Sequence, residues 1–191
     1  MIVTVVISVY NGMPYLPNTI ESILNQTYKD FELIIVNDGS SDDSEEYLKS
    51  LNDDRIVYFS NKNQGLCNSI NYAFSKAKGK YVFRNDQDDV SYLNRIERQV
   101  DIMEQSDFDC VFSFIDKISG KKVWKNLDKT LDNVGTVKLF NPWNDGCMLN
   151  STMVIKKDVF FDLGGYRAAY YPSDDWDLEL RLTQKYKVGI I

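Results

Sequence analysis

Acidic and amide side chains in this 191-residue sequence gather at a few short sites, most of them closing an apolar run. Ser8-Val9-Tyr10-Asn11 ends one run, Asn37-Asp38-Gly39-Ser40 a second, and Asn85-Asp86-Gln87-Asp88-Asp89 another. Three carboxylates within four residues repel one another unless a cation sits among them, or unless they are only an exposed charge run. The spacing is not that of an EF-hand. It suits a diphosphate bridged through Mg²⁺ or Mn²⁺, where one or two carboxylates suffice and phosphate and water complete the shell. Asp38-Gly39 is a turn dipeptide with two readings: its carboxylate bonds nearby backbone amides, or it accepts a hydrogen bond from the base or ribose of a nucleotide. Ser173-Asp174-Asp175-Trp176-Asp177 also has two. It is a Ser cap with acids that complement a helix dipole, or it supplies a carboxylate that takes the proton of an attacking hydroxyl.

Composition removes several alternatives. The chain has no His, which excludes Ser-His-Asp triads, Cys-His pairs and His-ligated zinc, so any metal must be held by carboxylates and must be a hard cation. With a net charge of −6 and no cluster of Lys and Arg, neither nucleic acid nor an anionic membrane surface is an expected partner. Cys67, Cys110 and Cys147 are odd in number and without CxxC spacing, which reads as reduced thiols in a cytoplasmic compartment. GxGxxG and GxxxxGK[ST] are both absent, so dinucleotide and P-loop readings lose support.

The elements that must position these residues alternate strand and helix. Strand character covers residues 2–9, 31–36, 56–60 and 81–84; helical spacing covers 15–26, 44–51 and 65–76, the last with Leu66, Ile70, Ala73, Phe74 and Ala77 on one face. Short connections between such units give right-handed crossovers, a parallel sheet and three α/β/α layers. The polar sites then converge on one edge, beyond the carboxyl ends of the strands. Further along, a helix is expected over 93–104, strands over 110–115 and 147–156, a turn at 119–121, and a helix over 173–186; residues 124–146 carry weak signals. Tyr170, Tyr171, Trp124, Trp143 and Trp176 read more readily as core than as sugar-stacking platforms. No linker or repeat divides the chain, so one domain, 1–191, is expected, with 1–90 on the nucleotide side and 91–191 on the acceptor side. No apolar run is long enough for a membrane span. The strand-like end at 188–191 leads us to expect a C-terminally truncated fragment.

The segments VVISVYNG, SILNQTYKDFELIIVNDGSSDDS, NQGLCNSINYAFSKAKGKYVFRNDQDD and SDDWDLELRL together resemble glycosyltransferase family 2, inverting enzymes with the GT-A fold, a Rossmann-like α/β arrangement. The resemblance runs in order over essentially the whole chain. It implies that Ser8, Val9 and Tyr10 line a nucleotide pocket and that Asp38 contacts the base. Asp86-Gln87-Asp88 is similar to the family's DxD motif, with Asp88 the direct metal ligand and Asp86 nearer the ribose. Asp175 matches the acceptor-activating base, with Asp174 beside it, and Gly164-Gly165-Tyr166 the turn before the acceptor side. Departures are Ile70 where many relatives carry Arg, Asn150 where they often carry His, and Asp174 in place of Glu.

What the resemblance implies is metal-dependent transfer of a sugar from a nucleotide-diphosphate donor, a UDP-sugar, to an acceptor hydroxyl with inversion. The acceptor would be a glycan or lipid-linked saccharide in bacterial surface-polysaccharide assembly. The enzyme would work in the cytoplasm or peripherally at the inner face of the membrane, attached through segments outside this chain. A non-catalytic module that binds nucleotide-sugar or glycan remains the alternative. A sugar-phosphate nucleotidyltransferase is disfavoured, because Ser8 to Pro14 contains no Lys or Arg for a triphosphate.

Overall fold

The computed structural model describes residues 2–119, 122–125, 138–139 and 149–191, the side chains of 117–125 and 138–139 excepted. Val3–Val9 (β1), Phe31–Asn37 (β2), Ile56–Ser60 (β3) and Tyr81–Arg84 (β4) pair in parallel, in the order β3-β2-β1-β4. All seven residues of β1 and all seven of β2 are buried. That is why both read as near-continuous apolar runs rather than alternating ones: helices cover both faces.

The faces are assigned by the two-residue period of the strand. Val5, Ile7 and Val9 point into a core shared with Leu16–Leu24 (α1), Ser44–Ser50 (α2) and Arg95–Gln105 (α4). Val6, between them, points to the opposite core, built on Leu66–Lys76 (α3), Lys157–Asp162 (α5) and Asp174–Lys185 (α6). The buried residues of α3 are Cys67, Ser69, Ile70, Ala73 and Phe74, and Ala77 just past its end is buried too. Leu66, expected on one face with Ile70, Ala73 and Phe74, is 37% exposed.

Beyond β4 the sheet becomes mixed. Val154–Lys156 (β9) runs antiparallel between β4 and Cys110–Phe112 (β5), which puts β5 parallel to the first four strands. Val188–Ile190 (β10) pairs in parallel with β5 and carries Lys138–Leu139 (β8) on its far side. Asp116–Ser119 (β6) and Lys122–Lys125 (β7) form a separate antiparallel pair flanking the expected turn, of which 120 and 121 lie outside the described residues.

The strand expected over 147–156 is shorter, since Asn150–Thr152 is a 3-10 turn and only Val154–Lys156 pairs; Cys147 lies outside the described residues. The strand expected to reach Ile115 stops at Phe112, whose partner Ile190 is the last residue of β10. Among the described residues no helix is long and apolar enough to cross a membrane.

Candidate active site

β1 lies between β2 and β4, so the chain order reverses there and a crevice opens beyond the carboxyl ends of these strands. A cavity of about 580 Å³ occupies it, and Ser8, Tyr10, Asp38, Asp86, Gln87 and Asp88 all line it. Val9 does not. Its side chain is fully buried in the α1–α4 core, as the alternation between Ser8 and Tyr10 requires.

The walls are tied together by side chains that bond distant backbone. Asp38, 2% exposed, accepts hydrogen bonds from Gln64 N–H and Gly65 N–H, both at 2.9 Å, and so holds the entry to α3 from the end of β2. Of the two readings of this residue, the amide-bonding one is therefore realised, though with amides 26 and 27 residues away rather than nearby ones. Gly39 has φ of 75°, and a Cβ there would stand 2.8 Å from Asn63 N, so the loop closes only because position 39 has no side chain.

Gln87 clamps Tyr10. Its Oε1 accepts from Tyr10 N–H at 2.8 Å and its Nε2 donates to Tyr10 C=O at 3.1 Å, which fixes the Asp86–Asp88 loop against the end of β1. Asn11, with φ of 51°, accepts from Ser41 N–H at 2.8 Å, and Gly12 N–H donates to the Ser44 hydroxyl at 2.9 Å. The polar side chains at the ends of β1 and β2 thus form the cavity and also hold its loops.

The acids of α6 lie beside this cavity rather than in its lining. Asp174 is 3% exposed and sits against Cys67, a lining residue whose thiol burial pushes up to about 12, with Asp174 adding to the rise. Ser173 makes no side-chain cap, and the acids of the first turn have partners of their own. Asp177 pairs with Arg167 and, at 2.7 Å, with Arg181. Asp175 accepts from Arg84 Nη1 at 2.8 Å. Burial lifts the Asp175 carboxyl above the ordinary aspartate value; Arg84 pulls the other way, and Asp174 and Asp86 add to the lift.

Arg84 itself is absent from the sequence expectations. It ends β4, and its Nε also donates to Asp86 Oδ1 at 3.1 Å. Burial acts against its charge, but Tyr166, Asp86 and Asp175 outweigh that and hold its pKa well above the ordinary guanidinium value. The only sequence signal was a cation closing an apolar strand, directly before the acidic loop.

Tyr166 and Asn150, read only as a turn residue and a departure, belong to the same network. The Tyr166 hydroxyl accepts from Arg84 Nη1 at 2.9 Å and donates to Asn150 Oδ1, and Asn150 Nδ2 donates to Glu179 at 2.8 Å. Of the aromatic candidates, Tyr170 and Tyr171 are exposed rather than core, and Tyr171 lines the cavity; Trp143 and the Trp124 side chain lie outside the described residues.

A second, larger cavity of about 960 Å³ lies on the other side of the acidic loop and shares Asp88 with the first. Among the described residues no three His, Cys, Asp or Glu side chains come close enough to form a metal cage. Asp88 is exposed and unpaired among the described residues, whereas Asp86 has one oxygen engaged by Arg84. This is a hard-oxygen donor set of one or two carboxylates. It fits Mg²⁺ or Mn²⁺ if a bound ligand and water complete the shell, and does not fit a cation that needs an all-protein site.

Comparison with known proteins bears on the family and the fold. The Glycosyl transferase family 2 profile matches residues 4–169. The chain is 33% identical over 188 residues to the O-antigen biosynthesis glycosyltransferase WbnJ of Escherichia coli, covering 96% of this chain and 72% of that protein. It is 31% identical over 193 residues to an uncharacterized glycosyltransferase of Rickettsia felis, covering 96% of this chain and 31% of that one. The crystal structure of S. aureus TarS 1-349 in complex with UDP-GlcNAc superposes with a TM-score of 0.85 at 17% identity, over 100% of this chain and 56% of that chain. This chain therefore spans about a third of the R. felis relative and just over half of the TarS chain. The expected mostly parallel, helix-flanked GT-A architecture is the one observed, and the profile match over most of its length makes the chain a member of glycosyltransferase family 2.

Proposed function

We propose that the chain transfers a sugar from a UDP-sugar to an acceptor hydroxyl, with inversion at the anomeric carbon, in the assembly of a bacterial surface polysaccharide. The observation that carries this reading is the single ion-paired link Asp86–Arg84–Asp175, at the edge of one cavity lined by Ser8, Asp38 and Asp88. Support for the donor comes from TarS, crystallised with UDP-GlcNAc, and for the setting from WbnJ, named for O-antigen biosynthesis. The acceptor is a glycan or lipid-linked saccharide presented at the cytoplasmic side of the membrane.

In this reading Ser8 and Tyr10 flank the nucleoside, Asp38 meets the base while it holds the start of α3, and Asp86 faces the ribose. Asp88, with the remaining oxygen of Asp86, would hold Mg²⁺ or Mn²⁺, which supplies charge neutralisation on the departing diphosphate. Asp175 takes the acceptor proton as its oxygen attacks from the side opposite the leaving group. Its pKa, raised by burial, suits that task, because a carboxylate above its ordinary value is a stronger base. Asp174, buried against Cys67, holds the first turn of α6 in place. No covalent enzyme intermediate is required.

The test is a screen for nucleotide release from a panel of sugar nucleotides with Mn²⁺ or Mg²⁺, run alongside calorimetric binding of UDP. Turnover with a UDP-sugar that is lost on chelation or in Asp88→Asn supports the proposal. UDP binding without release from any donor–acceptor pair would assign the chain to the binding-module alternative.

A further inference from the structure

Arg84 is the most deeply buried cation of the site, its side chain 3% exposed at the end of an apolar strand. Such a charge is costly unless paired. Its donors are shared among three acceptors on three segments: Asp86 on the acidic loop, Tyr166 before α6, and Asp175 on α6. In both carboxylates only Oδ1 is engaged, and among the described residues neither Oδ2 carries a hydrogen bond. The third acceptor is rigid: Asn71 donates to Tyr166 C=O at 2.8 Å and accepts from Tyr166 N–H at 2.9 Å, while the Tyr166 hydroxyl is fixed through Asn150 and Glu179.

We infer that Arg84 is a positioning residue for the transfer: its guanidinium sets the spacing between the donor-side Asp86 and the base Asp175 and leaves one oxygen of each free, that of Asp86 for the donor side and that of Asp175 for the acceptor. Without a cation between them, two carboxylates this close would repel and turn apart. A planar guanidinium presents its donors to the three acceptors in a fixed fork; an ammonium has three rotatable donors at one nitrogen on a flexible stem and does not hold the acceptors at that spacing. The inference rests on the proposed sugar transfer with Asp175 as base.

The experiment is a double-mutant cycle of Arg84→Met and Asp175→Asn, with Arg84→Lys as the conservative variant, reading UDP release from UDP-GlcNAc and the other UDP-sugars of the panel. A displacement of about 1 Å at a catalytic group costs on the order of 10²-fold, and Arg84→Met is expected to lower kcat by about that factor, with a much smaller change in donor KM. Arg84→Lys should melt close to the wild type yet recover only part of the rate. Added to Asp175→Asn, either Arg84 variant should cost little more, because groups that act as one unit are not additive. Equal losses in both backgrounds would overturn the inference, as would full activity in Arg84→Lys. If Arg84→Met does not fold, the cycle with Arg84→Lys decides.

A spectroscopic arm separates this inference from the reaction it serves. The Arg84 guanidinium nitrogens should show slowed rotation by NMR in the wild type, and the Nη1 signal should move in Asp175→Asn. Free rotation in the wild type would overturn the tie whatever the turnover. An ordered guanidinium in a protein that releases no UDP would instead sink the sugar-transfer reading.

Discussion

Replacing Asp38 separates the cavity's architecture from its ligand chemistry. The carboxylate is 2% exposed and each of its oxygens accepts one backbone N–H, from Gln64 and Gly65. A hydrogen bond to a charged acceptor contributes a net ~1.5–3 kcal/mol. Gln64 and Gly65 are exposed, so water can meet their amides once the carboxylate is gone, and the lower end of that range applies. Asp38→Ala, losing both bonds, should cost about 3 kcal/mol, and Asp38→Asn, which can still accept one bond but points its amino group at the other N–H, about 2 kcal/mol. For a chain of this size each kcal/mol moves Tm by about 2–4 °C, so calorimetry should find drops of roughly 6–12 °C for Ala and 4–8 °C for Asn. UDP affinity should fall in step with the loosened entry to α3. Unchanged melting in both variants would refute the reasoning, whatever happened to UDP affinity, since it would mean the two bonds do not hold the loop.

Two further outcomes follow from the geometry. Because the Asp175 carboxyl is raised, mainly by burial, transfer should fail as pH drops at a value above the ordinary aspartate figure of about 3.9. Burial outweighs the pull of Arg84, so the sign for stability is that of a raised acid: the contribution of Asp175 is full below its unfolded pKa and lost as pH rises through its folded one. A pH–rate profile still level near about 4 would contradict the assignment. Gly39→Ala should destabilise the chain by at least about 1–2 kcal/mol through the left-handed backbone alone, with more from the 2.8 Å approach to Asn63 N. Chemical denaturation reads it, and an unchanged midpoint would mean that the loop over Asn63 gives way freely.

The first half of the fold was legible because its strands announce themselves. β1 and β2 are buried on both faces, so their sequences are apolar almost throughout, and the polar residues that break the runs mark the sheet edge where the cavity lies. Side-chain alternation was legible too, and it was Val9 that it places differently from the family-based expectation: neighbours of Ser8 and Tyr10 must face the other way. The second half depends on non-local pairing that no window of sequence displays. β9 is three residues long and finds its place only between β4 and β5. α5, with six residues, is too short to show a period, and it is packed by the stacking of Phe160 on Phe74 at 3.7 Å between ring centroids. Nothing local sets Arg84 apart as a site residue until Asp175, 91 residues away, is brought to it.

The most direct measurement is a paired one on Asp175→Asn: calorimetric affinity for UDP with Mn²⁺, and the rate of sugar transfer from a UDP-sugar. Asp175 lies outside the lining of the smaller cavity but is bound to its acidic loop through Arg84. Affinity should therefore stay close to that of the unaltered chain while most of the transfer disappears. Near-full transfer by the variant would contradict the account at its centre.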